Sequence, residues 1–223
     1  HDVVLRYLRL RPGDEHNQSQ QESRDALSLI GTSGSEVYNV VIDHCTLIWG
    51  PDIGGPSILT HAHHITIQYS IMGEGLYHSN HPEAIPPNSH SKGMNITKLD
   101  DKYGGQRPRY ITMHHNLFTT SDERMPQIRG TEFVDMVNNV IYNWGNAPAM
   151  GNPISLNLIN NMFIAGPMTV RKIAWYPHTS DADRVLYEHA VYEAGTVTEG
   201  FTTVRGDPQS VYAATRVSPL SLP

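Results

Sequence analysis

The sequence predicts an all-β chain wound into a solenoid of stacked coils. Three observations point there. First, ITMHHNLF from Ile111, VDMVNNVI from Val134 and LNLINNMF from Leu156 are copies of one template, starting 23 and then 22 residues apart. Second, each copy is short, alternating and rich in β-branched residues, which reads as strand. Apolar pairs do not recur at three-and-four spacing over any long window, so an amphipathic helix is excluded. Third, a fixed period in the low twenties with a short apolar strand per repeat marks a solenoid, in which each coil buries its face against the next.

The template also runs back towards the N-terminus, through VVLRYLRL from Val3, VVIDHCTL from Val40 and ITIQYSIM from Ile65. From Val3 to Val40 there are 37 residues, which leaves room for an extra strand near DALSLI (residues 25–30) and a long turn. From Ile65 to Ile111 there are 46 residues, two periods, which predicts a hidden coil around residues 93–99. About seven coils follow from this count. One template position reads Leu8, Cys45, Ser70, Asn116, Asn139, Asn161. Three asparagines at coil period are expected to stack inside a turn, amide on amide, because a buried amide needs partners. Leu117, Val140 and Met162 follow them and are expected in the apolar core beside that ladder.

Composition bounds the rest. A chain of 223 residues can bury a sizeable core, and its single cysteine, Cys45, excludes an internal disulfide framework. Only 17% of residues are charged and the net charge is −6, so no nucleic-acid partner is expected and any polyanion needs a local basic patch. No apolar run approaches spanning length, so no membrane partner is expected, and a monomer is expected. The first residue is His1, already in a strand-like run, which reads as a mature or trimmed chain. After Gly166 the repeat fades. Residues 1–175 are therefore read as the solenoid domain, and 176–223 as an irregular tail packing on it. Residues 12–22, 72–93 and 99–109 are rich in Gly, Pro, Asn, His and charge, hence loops, where chemistry usually sits on a rigid scaffold. The basic turn DERMPQIRG (residues 122–130) projects between two rungs and is read as the working surface.

These strings carry a resemblance. NVVIDHCTLIWG (39–50), ITIQYSIMGEGL (65–76), HSKGM (90–94), ITMHHNLF, DERMPQIRG and VNNVIYNWG occur in the order seen in the pectate lyases of polysaccharide lyase family 1. R-x-P-x-x-R-G after an HHN strand and before an NN strand is the most specific part. The resemblance covers residues 3–167 and implies a right-handed parallel β-helix lacking the family's N-terminal part. It also implies a secreted enzyme that cleaves pectate or a related polyuronate by β-elimination. That reaction removes the proton at C5, beside the uronate carboxylate, so it needs positive groups around the uronate and a base within reach of C5.

By the resemblance, Arg124 matches the arginine that takes the C5 proton, Arg129 matches a substrate-binding arginine, and Lys92 lies at or beside a lysine that contacts the uronate. An arginine base is demanding, since a free guanidinium titrates above pH ~12. Glu74, His78 and His81 in the long loop, with His90 at the head of HSKGM, are candidates to line the groove. The family holds Ca²⁺ with carboxylates, the oxygen ligands that suit a hard cation. Asp25 matches one such ligand and Asp52 falls near another, whereas Ser23 and Ser57 stand where further acids are expected. His61, His63 and His64 in THAHH have no acidic partner close in sequence and do not read as a metal site. Asp43-His44 has no accompanying nucleophile motif. Two other classes remain: a non-catalytic β-helix that binds glycans, and a glycoside hydrolase on the same fold, which would need paired carboxylates.

Overall fold

The computed structural model describes residues 1–14, 23–84, 88–99, 105–152, 156–171, 175–177, 191–194 and 197–199, the last three runs through their backbone. Each coil contributes up to three short strands. The first coil holds β1 (Val3–Arg6), β2 (Arg9–Leu10) and β3 (Leu27–Leu29). The second holds β4 (Val37–Asp43), β5 (Thr46–Ile48) and β6 (Pro56–Ile58). β7 (Ala62–Gln68), β8 (Ile71–Gly73) and β9 (Asn95–Thr97) make the third. β10 (Arg109–His114), β11 (Leu117–Glu123) and β12 (Gln127–Arg129) make the fourth. The fifth is β13 (Glu132–Val137), β14 (Val140–Ala147) and β15 (Ala149–Asn152). Then come β16 (Leu156–Ile159), β17 (Met162–Ile164) and β18 (Trp175–Pro177), followed by β19 (Val191–Ala194) and β20 (Val197–Glu199).

Strands in equivalent positions pair in parallel to form three sheets. The first runs β1-β4-β7-β10-β13-β16-β19, the second β2-β5-β8-β11-β14-β17-β20, and the third β18-β15-β12-β9-β6-β3. This is a right-handed parallel β-helix of seven coils among the described residues. Ile111 pairs with both Ile65 and Val134, so the repeat found in the sequence is the register of the first sheet.

Two expectations change. There is no hidden coil around residues 93–99: β7 pairs directly with β10, and β9 is the third strand of that same coil. The 46-residue interval is one coil carrying two long loops, which a solenoid tolerates because lengthening a surface loop costs little. The other change lies at the C-terminal end. β18, β19 and β20 extend all three sheets beyond residue 175, where the sequence reading placed an irregular tail. The remainder of 176–223 lies outside the described residues.

The asparagine ladder is present. Asn116 Nδ2 and its backbone N–H both donate to Asn139 Oδ1, and Asn139 repeats the pattern on Asn161 Oδ1. Each amide also donates to the first-sheet strand of the preceding coil, at Ile67, Met113 and Met136 carbonyls. Ser70 and Cys45 continue the column, Ser70 N–H donating to Asn116 and Cys45 N–H to the Ser70 hydroxyl.

The core lies one residue further along than expected. Phe118, Ile141 and Phe163 are fully buried, whereas Met162 is 40% exposed and Leu117 and Val140 are half-buried on the outside. The reason is alternation: the ladder residue points inward, so the next points out and the one after it returns. Phe163→Ala should therefore lower unfolding free energy by about 3–5 kcal/mol, while Met162→Ala should stay within about 0.5 kcal/mol. Urea denaturation of the two variants measures this; equal losses would put the phase back where the sequence reading had it.

Candidate active site

The third sheet supplies a floor. Ile58, Ile96 and Ile128 pair in register and point into the core, all at 0% exposure. Alternation then turns Ser57, Asn95 and Gln127, also paired, to the outer face. Arg129 lies on that same face two residues beyond Gln127 and is exposed.

The wall beside this floor is the turn from the second sheet to the third, stacked coil on coil. Ile53 bridges Lys92, and Lys92 bridges Glu123, so successive coils place Ile53, Lys92 and Glu123 in one column, with Asp52 just before it and Arg124 just after it in the chain. Arg24 and Asp25 join it from the first coil, where the Asp52 N–H donates to Arg24 O at 3.1 Å and the Ala26 N–H to Ile53 O at 3.2 Å. Close packing makes the column rigid: a Cβ on Gly93 would lie 2.5 Å from Arg124 O. The Lys92 ammonium is paired with Glu123 Oε1, and Arg124 Nε stands 4.0 Å from the same oxygen. Arg124 Nε is buried and has no hydrogen-bond partner among the described residues. Arg124 itself sits at φ +63, in the left-handed region. Arg129 is the last residue of β12, whereas Arg124 precedes the Met125-Pro126 turn that leads into it. The two arginines therefore stand before and at the end of β12.

The carboxylates divide. Asp25 Oδ2 accepts from the Ser28 hydroxyl at 2.7 Å. Burial pushes its pKa up to about 6, with the Ser28 and Ser57 hydroxyls pulling down and the charge of Asp52 pushing further up. Its other oxygen, Oδ1, is buried without a hydrogen-bond partner, as is Asn95 Oδ1 on the strand next to Ser57. Ca²⁺ takes about six to eight oxygen ligands. The unbonded oxygens around Asp25 fit that donor chemistry, though with a single carboxylate. Asp52 is engaged elsewhere: its Oδ1 is 3.0 Å from His90 Nε2 and 3.9 Å from His81 Nε2. His90 is thus buried against Asp52 rather than lining an open groove, and Glu74 holds the Trp49 indole N–H at 2.9 Å at the start of the same turn.

Because its folded pKa is raised, Asp25 contributes stability at low pH that is lost as pH rises through about 6. In metal-free buffer, the melting temperature of Asp25→Asn relative to the parent should climb between about pH 4 and pH 7. A difference that stays flat with pH would mean that the carboxylate is not desolvated.

Several curated proteins are similar to this chain in sequence. Over 173 residues, 75% of this chain and 34% of that protein, it is 30% identical to the "Probable pectate lyase C" of Aspergillus flavus. The same figures hold for that of Aspergillus terreus, and the Emericella nidulans protein is 29% identical over 169 residues. The chain is similar to these proteins over three quarters of its length. It spans about a third of the length of the curated relatives it matches. No family model matches it.

The partners that the candidate residues take had no sequence signal. Glu123 is adjacent to Arg124 in sequence, yet its grip on Lys92 crosses from one coil to another. His81 and His90 reach Asp52 from a loop 29 and more residues away. Outside the site, His63 of THAHH meets an acid after all, Glu36 Oε2 at 2.8 Å, which the preceding coil delivers. Asp43 is a structural acceptor, for Gln68 at 3.0 Å, His44 at 2.7 Å and Arg6 at 2.5 Å. Trp144 is buried in the core, donating its indole N–H to Arg171 O at 2.6 Å.

Proposed function

We propose that this chain cleaves polygalacturonate or a related polyuronate by β-elimination on the outer face of the third sheet. The observation that carries the reading is the pair of cations, Lys92 from one coil and Arg124 from the next, gathered at the Glu123 carboxylate beside a polar floor. In the proposed reaction, Arg124 removes the C5 proton. The electron pair left behind forms the C4–C5 double bond, the C4–O bond breaks, and the departing oxygen takes a proton from water. Lys92 exchanges Glu123 for the uronate carboxylate and so offsets the charge that makes C5 poorly acidic. Arg129, at the other end of β12, clamps a carboxylate through two parallel N–H donors. The acidic polymer is the partner, and the protein acts outside the cell as a monomer.

Calcium belongs to this proposal through Asp25. Asp25 Oδ1, with the Asn95 side-chain oxygen in the same stretch of floor, would hold it, and the ion would add positive charge next to the uronate. Asp52 gives its Oδ1 to two imidazoles instead.

The test is ultraviolet absorbance of the unsaturated product on polygalacturonate, with and without EDTA, alongside a reducing-sugar assay. Absorbance that grows, and falls in EDTA until Ca²⁺ is restored, supports the reading. Growth indifferent to EDTA would leave the lyase and remove the metal. Reducing ends without the chromophore would point to hydrolysis, and polymer binding without either product to a glycan-binding β-helix.

A further inference from the structure

We infer that Asp52, His81 and His90 form a binding site for a divalent transition metal of the zinc type, distinct from any hard-cation site at Asp25. The three side chains offer two imidazole nitrogens and one carboxylate oxygen, all within 4.8 Å of one another. Such a mixed N,N,O set favours Zn²⁺ and its neighbours, whereas Ca²⁺ selects oxygen alone.

The distances are close to what an ion needs. A tetrahedral zinc with bonds of about 2.0–2.1 Å holds its ligand atoms roughly 3.3 Å apart. Asp52 Oδ1 lies 3.0 Å from His90 Nε2 and 3.9 Å from His81 Nε2, one separation just below that value and the other just above. The imidazoles stack with centroids 3.6 Å apart and planes 15° from parallel, so both Nε2 edges face the same carboxylate. An entering ion opens this stack and draws His81 inwards. The histidine side chains are 5% and 4% exposed, against 22% for Asp52, which leaves one open side for a water or an external ligand.

The outer contacts set the proton positions. His90 Nδ1 is buried and lacks an aligned hydrogen bond, with Glu83 Oε2 3.0 Å away. A metal at Nε2 keeps the proton on Nδ1, where Glu83 can swing onto it, as carboxylates do behind metal-bound histidines. His81 Nδ1 accepts the Glu83 backbone N–H at 3.1 Å, and this contact is given up when His81 moves its proton to Nδ1 to bind through Nε2. Both histidines belong to the long loop between β8 and β9, and Asp52 to the turn between β5 and β6. The ion would clip that loop to the preceding coil, at the edge of the candidate active site.

The experiment is Zn²⁺ titration of the EDTA-stripped, dialysed full chain by calorimetry, with Co²⁺ absorption as an independent probe of geometry. One Zn²⁺ per chain, not displaced by excess Ca²⁺, and a tetrahedral Co²⁺ band in the visible are expected. His81→Ala and His90→Ala should each weaken this binding by ~100-fold or more and abolish the band. Asp52→Asn, closer in shape, should do the same and covers the case in which a histidine variant fails to fold. No stoichiometric binding by the parent would overturn the inference. So would a folded His81→Ala or Asp52→Asn chain that binds Zn²⁺ as well as the parent, since the ion would then lie at another of the chain's histidines.

Discussion

Arg124→Lys is expected to lower kcat on polygalacturonate by ~10²-fold or more, the usual range for a positioned acid–base group, with KM little changed. The side chain is anchored for one task. Its backbone carbonyl accepts the Met94 N–H at 2.6 Å, and its Nε is buried without a hydrogen bond. A buried donor left unpaired costs free energy unless a ligand completes it. Lysine keeps the charge but has neither Nε nor the planar fork, and its shorter reach puts the nitrogen elsewhere. Arg129→Lys should behave differently. Arg129 is exposed on the far side of the floor, so losing its two-point grip on a carboxylate should mainly raise KM. Steady-state kinetics of both variants settles the assignment. Full turnover in Arg124→Lys would remove Arg124 as base and leave Lys92 as the next candidate.

Much of the fold was legible because a solenoid repeats its instructions. Asn116, Asn139 and Asn161 occupy one register position, and the β-branched strands before them pair as their alignment requires. What a repeat count cannot see is the content of the loops. The interval from Ile65 to Ile111 equals two periods by coincidence of loop length, since only the strands are held to a register. The phase error at Leu117 had a different source. An inward asparagine at a turn was taken to bring its apolar neighbour inward too, but the strand resumes its alternation at once and Phe118 fills the core instead.

The neighbours of the candidate residues were less legible than the residues themselves. Lys92 and Arg124 lie in strings that carry the resemblance, and the structure sets Lys92 beside Glu123, the residue before Arg124, on the adjacent coil. Partners chosen by coil stacking are invisible in a single sequence. Glu123 meets Lys92, and Glu36 meets His63, because the parallel register puts residues 31 and 27 apart side by side. Asp52 shows the same limit. By the resemblance its chain position falls near a calcium ligand, but its neighbours are two histidines that the loop brings in, and neighbours decide which ion a carboxylate can serve.

Asn139→Ala should be among the most destabilising single changes, at about 3–6 kcal/mol. The estimate follows from the groups it orphans. Asn139 Oδ1 accepts from both the backbone N–H and the side-chain amide of Asn116, and its Nδ2 donates to Met113 O and to Asn161 Oδ1. Asn139 is 1% exposed and Asn116 3%, so water does not replace these bonds. Each buried group left without a partner costs about 1–3 kcal/mol, and at least two are stranded when the amide goes. The middle rung should matter more than the lower end, because Ser70→Ala removes a hydroxyl with two partners, the Cys45 N–H and the Gln68 carbonyl, against four for the Asn139 amide. Asn139→Asp should not rescue the loss: the Asn116 donors would be satisfied, but carboxylate oxygens would face Met113 O and Asn161 Oδ1, which accept and cannot donate. Chemical denaturation of the three variants at neutral pH gives the order. An Asn139→Ala loss below about 1 kcal/mol would mean that the coils hold their register through backbone pairing alone, with the ladder adding nothing.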